Sequence, residues 1–114
     1  MYEFPDLPIL TQSINISRFE DEHVDVTVEA KKLDELFQSA EAFTAIPKWE
    51  ATHIYQLKGN DIPQTNQLYF IVRDPRIHDD DFGYIMYKDE ELYEMVYYRV
   101  DAERLRHILT DLPL

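Results

Sequence analysis

The sequence predicts an α+β fold: an antiparallel sheet of about five to six strands with two helices packed on one face. Short apolar runs with a two-residue period are joined by short polar turns, which favours antiparallel pairing. Two other stretches space their apolar residues by three and four, as amphipathic helices do. The predicted order of elements is ββ-α-ββββ-α, and helices of this kind can cover one sheet face.

The length and composition fit one domain over residues 1–114. The chain is 45% hydrophobic and 13% aromatic, so it has enough apolar surface to offset the entropy lost on folding. Residues 1–11 contain Pro5 and Pro8, which restrict the backbone to extended conformations. We expect these residues to form an extended N-terminal arm laid over the body of the domain.

The first two strands and the first helix follow the arm. Residues 13–17 and 24–29 alternate apolar and polar side chains, and the acidic residues 20–22 between them predict a hairpin turn. The spacing of the next apolar residues predicts a helix over 31–43, ended by Pro47. Its apolar stripe consists of Leu33, Leu36, Phe37, Ala40 and Phe43.

Four strand-like runs and a closing helix complete the predicted fold. The runs cover residues 53–58, 67–73, 83–88 and 92–100, and the run Leu68 to Val72 is apolar at consecutive positions, which predicts a central strand. Asp101 is a suitable N-cap for a final helix over 101–112. The apolar stripe of that helix consists of Leu105, Ile108, Leu109 and Leu112.

The charge of the chain is strongly acidic and unevenly distributed. Twenty-three Asp and Glu against eleven Lys and Arg give a formal net charge of -12, which disfavours direct binding to nucleic acid. Residues 79–94 alone hold seven acids and one base, and residues 20–25 hold four acids with no Lys or Arg. Such clusters are typical of solvated turns, and they also suit a docking surface for a basic protein.

The sequence offers little support for catalysis, and we expect no catalytic residue, cofactor or metal site. Neither a disulfide nor a Cys nucleophile is possible because the chain contains no cysteine, and its two glycines exclude a Gly-rich phosphate loop. The strongest metal candidate is the run His78 to Asp81. Consecutive residues of an extended segment point to opposite sides, and a calcium loop that began at Asp79 would need a glycine at its sixth position, where Tyr84 stands. A solvated loop is therefore the preferred interpretation.

Tyrosines coincide with the denser acidic cluster. Adjacent Tyr97 and Tyr98 must point to opposite faces of a regular strand, so at least one of them should lie away from the helices. Tyrosine suits strands in general, and it also supplies contact area at the centre of protein interfaces. The predicted partner-binding residues are Asp79, Asp80, Asp81, Tyr84, Tyr87, Asp89, Glu90, Glu91, Tyr93, Glu94 and Tyr97.

The function favoured by these observations is that of a non-enzymatic acidic binding protein that neutralises or inhibits a basic protein. An immunity protein, an antitoxin and an inhibitor that mimics nucleic acid all fit this description. A small acidic dimeric chaperone or adaptor of an export system is an alternative, as is a small-molecule-binding enzyme or sensor, which would need a pocket with converging polar groups.

The sequence also bears on membrane association, cellular compartment and oligomeric state. No apolar run is long enough to span a bilayer, and the N-terminus lacks a basic region followed by an apolar stretch. We therefore expect no membrane partner, and the absence of cysteine fits a cytoplasmic protein. Both a monomer and a homodimer are compatible with the sequence.

Overall fold

A computed structural model describes residues 6–21, 23–44, 52–73, 81–90 and 94–109. Within these residues the chain forms two helices and a seven-stranded antiparallel sheet, which confirms the predicted α+β fold and exceeds the predicted strand number. In chain order the elements are β1 Ile14–Arg18, β2 Asp25–Val28, α1 Ala30–Ser39, β3 Glu41–Phe43, β4 Thr52–Lys58, β5 Gln67–Arg73, β6 Phe82–Lys88, β7 Val96–Asp101 and α2 Ala102–Ile108.

The strands lie side by side in the order β2-β1-β4-β5-β6-β7-β3, and every neighbouring pair is antiparallel. β5 therefore has three strands on each side, as the apolar run Leu68 to Val72 predicts. Phe70 and Ile71 point to opposite faces of β5 and are both fully buried. The prediction of a central strand with two apolar faces is confirmed.

Both described helices pack on the same face of the sheet. Leu33, Leu36 and Phe37 of α1 belong to one core cluster with Leu105 of α2 and with the buried residues of the strands. The Phe37 and Phe70 rings meet edge to face, with centroids 6.3 Å apart. Burial of these apolar side chains, together with close packing of the rings, holds the two helices on the sheet.

The first helix ends earlier than its apolar spacing predicts. α1 stops at Ser39, whose hydroxyl donates to the Leu36 carbonyl, and Ala40 has an extended backbone. The prediction of a helix reaching Phe43 is wrong because residues 41–43 pair with β7 as the edge strand β3. This long-range pairing overrides local spacing, and it removes Phe43 from the helical stripe. Pro47, the predicted terminator, lies outside the described residues.

The last hairpin is also shorter than predicted. β6 and β7 are antiparallel neighbours, but β7 begins at Val96 rather than at residue 92 because the ladder ends where Tyr87 pairs with Val96. Tyr97 and Tyr98 point to opposite faces, as predicted. Tyr98 is buried beneath the helices, and Tyr97 lies on the other face.

The closing helix begins at the predicted cap. The Asp101 carboxylate accepts a hydrogen bond from the Arg104 backbone N–H at 3.0 Å, which satisfies one of the free donors of the first turn. Leu105 and Leu109 are buried, and Ile108 packs against the core. Leu112 lies outside the described residues.

We expect Asp101→Ala to lower the free energy of unfolding by about 1 kcal/mol, because an alanine leaves the Arg104 N–H without its acceptor. Asp101→Asn is the matched control, since asparagine caps helices about as well as aspartate. Chemical unfolding of the three proteins tests the assignment. Equal stability of the alanine variant and the parent would show that the cap contributes nothing.

A single carboxylate fastens the segment that precedes β1. Asp61 accepts hydrogen bonds from the backbone N–H of Thr11 and of Gln12, at 2.8 and 3.0 Å, and from the Thr11 hydroxyl at 3.0 Å. These bonds, the one from the Thr11 N–H first, hold the pKa of Asp61 below its ordinary value. Just before this contact Leu10 is buried in the core, whereas Ile9 is 79% exposed.

The lowered pKa of Asp61 predicts an acid-sensitive contribution to stability. The contribution is present above the ordinary carboxyl pKa and is lost as the pH falls through the lowered value of the folded state. We expect Asp61→Asn to be less stable than the parent at neutral pH. The gap should begin to narrow as the pH falls below the ordinary carboxyl pKa of about 4, and it should close only below the lowered folded-state value, where the parent's carboxylate is protonated. Urea unfolding of both proteins across a pH series measures it, and a gap that is constant with pH would contradict the prediction.

Candidate functional site

The sheet face opposite the two helices, here called the outer face, holds the candidate site. Because side chains alternate along a strand, the pairing register shows which residues share this face. One row of directly paired residues crosses all seven strands. From β2 to β3 this row consists of Asp25, Ser17, Gln56, Tyr69, Met86, Tyr97 and Phe43. The row is polar on β2, β1 and β4 and apolar from β5 onward.

A second row lies two residues further along the strands. It consists of Ile54, Ile71, Tyr84, Arg99 and Glu41. Together the two rows place seven apolar or aromatic side chains side by side, and we call this set the outer patch. Its members are Phe43, Ile54, Tyr69, Ile71, Tyr84, Met86 and Tyr97. From the spacing of strands the long row of the patch spans about 14 Å, and the two rows lie about 7 Å apart.

Aromatic contacts tie the outer patch together. The Phe43 and Tyr84 rings lie 5.1 Å apart between centroids, and Phe19 meets the Tyr69 ring edge to face at 5.8 Å. Ile71 is fully buried although it does not belong to the core beneath the helices. The patch therefore has a packed centre of its own.

The margins of the patch expose further apolar surface. Phe19 is 56% exposed beside Tyr69, and Phe82, two residues before Tyr84 on β6, is 41% exposed. Among the described residues these are two of the three large hydrophobic side chains that are exposed. Tyr69, Tyr84, Met86 and Tyr97 are partly exposed between them. Apolar surface concentrated in this way is a common mark of an interaction site.

Acidic residues stand at both ends of the β6–β7 pair. Asp81 and Asp101 lie at the Phe82 end, while Asp89, Glu90 and Glu94 lie at the opposite end. Two bases also lie on the outer face beyond the patch, where the register sets Lys58 opposite Asn15 and Lys88 opposite Gln67. Asp89 and Glu90 directly follow Lys88, so this end of the hairpin is acidic overall.

The predicted partner-binding residues fall into four groups. Tyr84 and Tyr97 lie on the outer face in neighbouring rows, and the acids at positions 81, 89, 90 and 94 lie at the ends of the β6–β7 pair. Asp79, Asp80, Glu91 and Tyr93 are outside the described residues, as is His78 of the metal candidate. The remaining residue, Tyr87, lies on the helix-covered face.

Tyr87 does not belong to the surface that the sequence predicts for it. It is 4% exposed, because its register partners Leu68 and Val96 face the helices with it. Its hydroxyl accepts a hydrogen bond from the Asn66 side-chain amide at 3.2 Å, and burial, followed by the nearby Asp89 charge, raises its pKa. Tyr87 is a core residue with a hydrogen-bonded hydroxyl.

Tyr97 can contact a partner through an uncharged side chain. A phenol is protonated at neutral pH, and burial raises the pKa of the Tyr97 hydroxyl further above its ordinary value. A protonated phenol can donate and accept hydrogen bonds while its ring supplies apolar contact area.

The sequence prediction missed several members of the outer patch. Tyr69 lies inside an apolar run that predicts a buried strand, and Phe43 follows a helical spacing that β3 interrupts. Alternation could have assigned Tyr69 to the face opposite Phe70. Nothing local indicates that Phe43 and Tyr97 are paired, since that contact joins residues 54 positions apart.

A groove also lies on the helix side of the sheet. It has a volume of about 650 Å³ and lies between α1, α2 and the end of β2. Val28, Leu36 and Ile108 form its apolar part, and its charged lining side chains are all exposed. Within the described part of the chain no group of three His, Cys, Asp or Glu residues is placed to hold a metal ion.

Comparison of the chain with protein-family models, with curated proteins and with solved structures found no match. The described helices include none with the length and apolar character needed to cross a membrane.

Proposed function

We propose that this chain is a non-enzymatic acidic binding protein that neutralises or inhibits a basic protein, which docks on the outer patch. The observation that supports this most strongly is the position of the patch between the acidic ends of the β6–β7 pair, in a chain of net charge -12. Immunity proteins, antitoxins and nucleic-acid-mimicking inhibitors are the kinds of protein that act in this way.

The outer patch and the acids around it resemble the apolar centre and charged rim of a protein interface. Aromatic and Met side chains are enriched at interface centres, and here Tyr69, Tyr84, Met86 and Tyr97 occupy adjoining positions. Charged residues at the rim act mainly on the rate and specificity of association. The patch supplies an apolar centre, and the acids around it favour a partner that carries Lys and Arg.

The charge also argues against pairing of two copies through the same patch. Each copy carries a net charge of -12, so a face-to-face dimer brings like charges together. A basic protein gains from the same field, because opposite charge raises the rate of encounter at low salt. Charge complementarity therefore favours a heterologous partner for the outer patch.

Affinity capture from the native host tests the proposal when it is run with matched variants. The test variant carries Tyr84→Ala and Tyr97→Ala, and the control carries Ile9→Ala, which truncates a more exposed apolar side chain outside the outer face. We expect the parent and the control to retain a basic protein that the double variant loses and that added salt releases. Equal retention by the double variant, or retention of an acidic protein, would contradict the proposal.

A further inference from the structure

One corner of the outer face already holds a guanidinium group. Arg99 lies in the second row between Tyr84 and Glu41, and its Nε and Nη2 both donate to Glu41 Oε2, at 3.0 and 2.8 Å. The Arg99 Cζ stands 4.6 Å from the centroid of the Phe82 ring. A carboxylate and an aromatic face thus contact the same guanidinium.

This pair of contacts is chemically selective. A guanidinium is planar, so it can stack on an aromatic ring while its edge donates two hydrogen bonds to a carboxylate. An ammonium group has no such plane and is more strongly hydrated. The corner formed by Glu41 and Phe82 therefore suits arginine better than lysine.

The corner is open to a second side chain. The side chains of Arg99 and Glu41 are 40% and 64% exposed, so solvent already reaches the ion pair. A cleft of about 340 Å³ adjoins it, lined by Glu41, Phe82, Arg99 and Asp101 among others. Exposed ion pairs contribute little to stability, so exchanging one guanidinium for another on Glu41 has a small net cost.

We infer that this corner is an arginine-recognition site in which Arg99 is an internal occupant. An arginine side chain of the bound protein replaces Arg99 on Glu41 and stacks on Phe82, and Arg99 turns into solvent. The inference rests on the proposed function, because the basic partner supplies the arginine. Arg99 then competes with the partner, and its removal strengthens binding.

Calorimetric titration with nona-arginine and nona-lysine peptides tests the competition at low salt. We expect the parent to bind the arginine peptide more tightly. Arg99→Gln should raise the affinity for this peptide about two- to fivefold beyond the effect of Lys31→Gln, which removes the same charge from an exposed position of α1. Phe82→Ala should abolish the preference for arginine, and Phe19→Ala, at the opposite margin of the patch, should leave it intact.

A spectroscopic signal reports the displacement directly. The Arg99 Nε–H is hydrogen-bonded to Glu41 in the free protein, so its nuclear magnetic resonance signal should move toward that of a free arginine as the arginine peptide is added. The lysine peptide should move it less.

Two negative results separate the inference from the proposed function. If both peptides require Tyr84 and Tyr97 for binding, but Arg99→Gln equals Lys31→Gln and the Arg99 signal is unchanged, the arginine site is wrong and the proposed function stands. If binding of both peptides is unaffected by Tyr84→Ala with Tyr97→Ala, the outer patch is not a docking surface, and the proposed function and the inference both fail.

Discussion

Phe70→Ala is expected to lower the free energy of unfolding by about 3–5 kcal/mol, which is a large share of the stability of a domain of this size. Phe70 is fully buried at the centre of β5, where its ring packs against Phe37 of α1. Its register partners Tyr55 and Ile85 are also buried. An alanine therefore leaves a cavity that neither neighbouring strand can readily fill.

Tyr69→Ala is the matched control for this core variant. It truncates an aromatic side chain of the same strand, but Tyr69 is partly exposed on the outer face. We expect it to cost only about 1–2 kcal/mol, from the lost cross-strand and ring contacts. Urea unfolding of the two variants compares the faces. A Phe70 variant no less stable than the Tyr69 variant would refute the assignment of the core to the helix side.

The second large effect concerns binding of the partner. Once a basic partner has been captured, Tyr84→Ala combined with Tyr97→Ala should weaken its binding by about 2 kcal/mol or more, or roughly thirtyfold. These residues occupy neighbouring rows at the centre of the patch, so their loss should act mainly on the dissociation rate. Surface plasmon resonance separates the two rates. An unchanged dissociation rate would place the interface elsewhere.

Charge and contact should make separable contributions to that binding. Neutralising Asp89, Glu90 and Glu91 together should mainly lower the association rate and flatten its dependence on salt, because exposed charges are screened over about 8–10 Å at physiological ionic strength. Neutralising Glu20, Asp21 and Glu22 removes the same charge from the sequence between β1 and β2 and serves as the control. If the control lowers the association rate more than the test variant does, the charge that steers association does not lie at the β6–β7 pair.

How well the sequence predicts a feature of the fold depends on whether the residues that form it are close together in the chain. The apolar run Leu68 to Val72 predicts the central strand because a strand buried on both faces is apolar at consecutive positions. Asp101 predicts the start of α2 because the capping hydrogen bond joins residues only three positions apart. Helical spacing fails at Phe43, where pairing with β7 outweighs local preference.

The candidate site is predictable only in part for the same reason. Alternation separates Tyr97 from Tyr98, but it cannot decide which face the helices cover, so the sequence predicts Tyr87 at the surface although it is buried. The outer patch exists because the register places Tyr69 opposite Met86 and Met86 opposite Tyr97. Register between strands depends on the whole sheet, so no single segment contains this information.

The most direct test of the central claim is a nuclear magnetic resonance titration of the labelled chain with its captured basic partner. If the partner docks on the outer patch, the signals of Tyr69, Tyr84, Met86 and Tyr97 should shift. Those of the exposed residues along the groove between α1 and α2, such as Lys32 and His107, should stay in place. Shifts confined to that groove or to residues 6–12, with the outer patch unchanged, would contradict the claim.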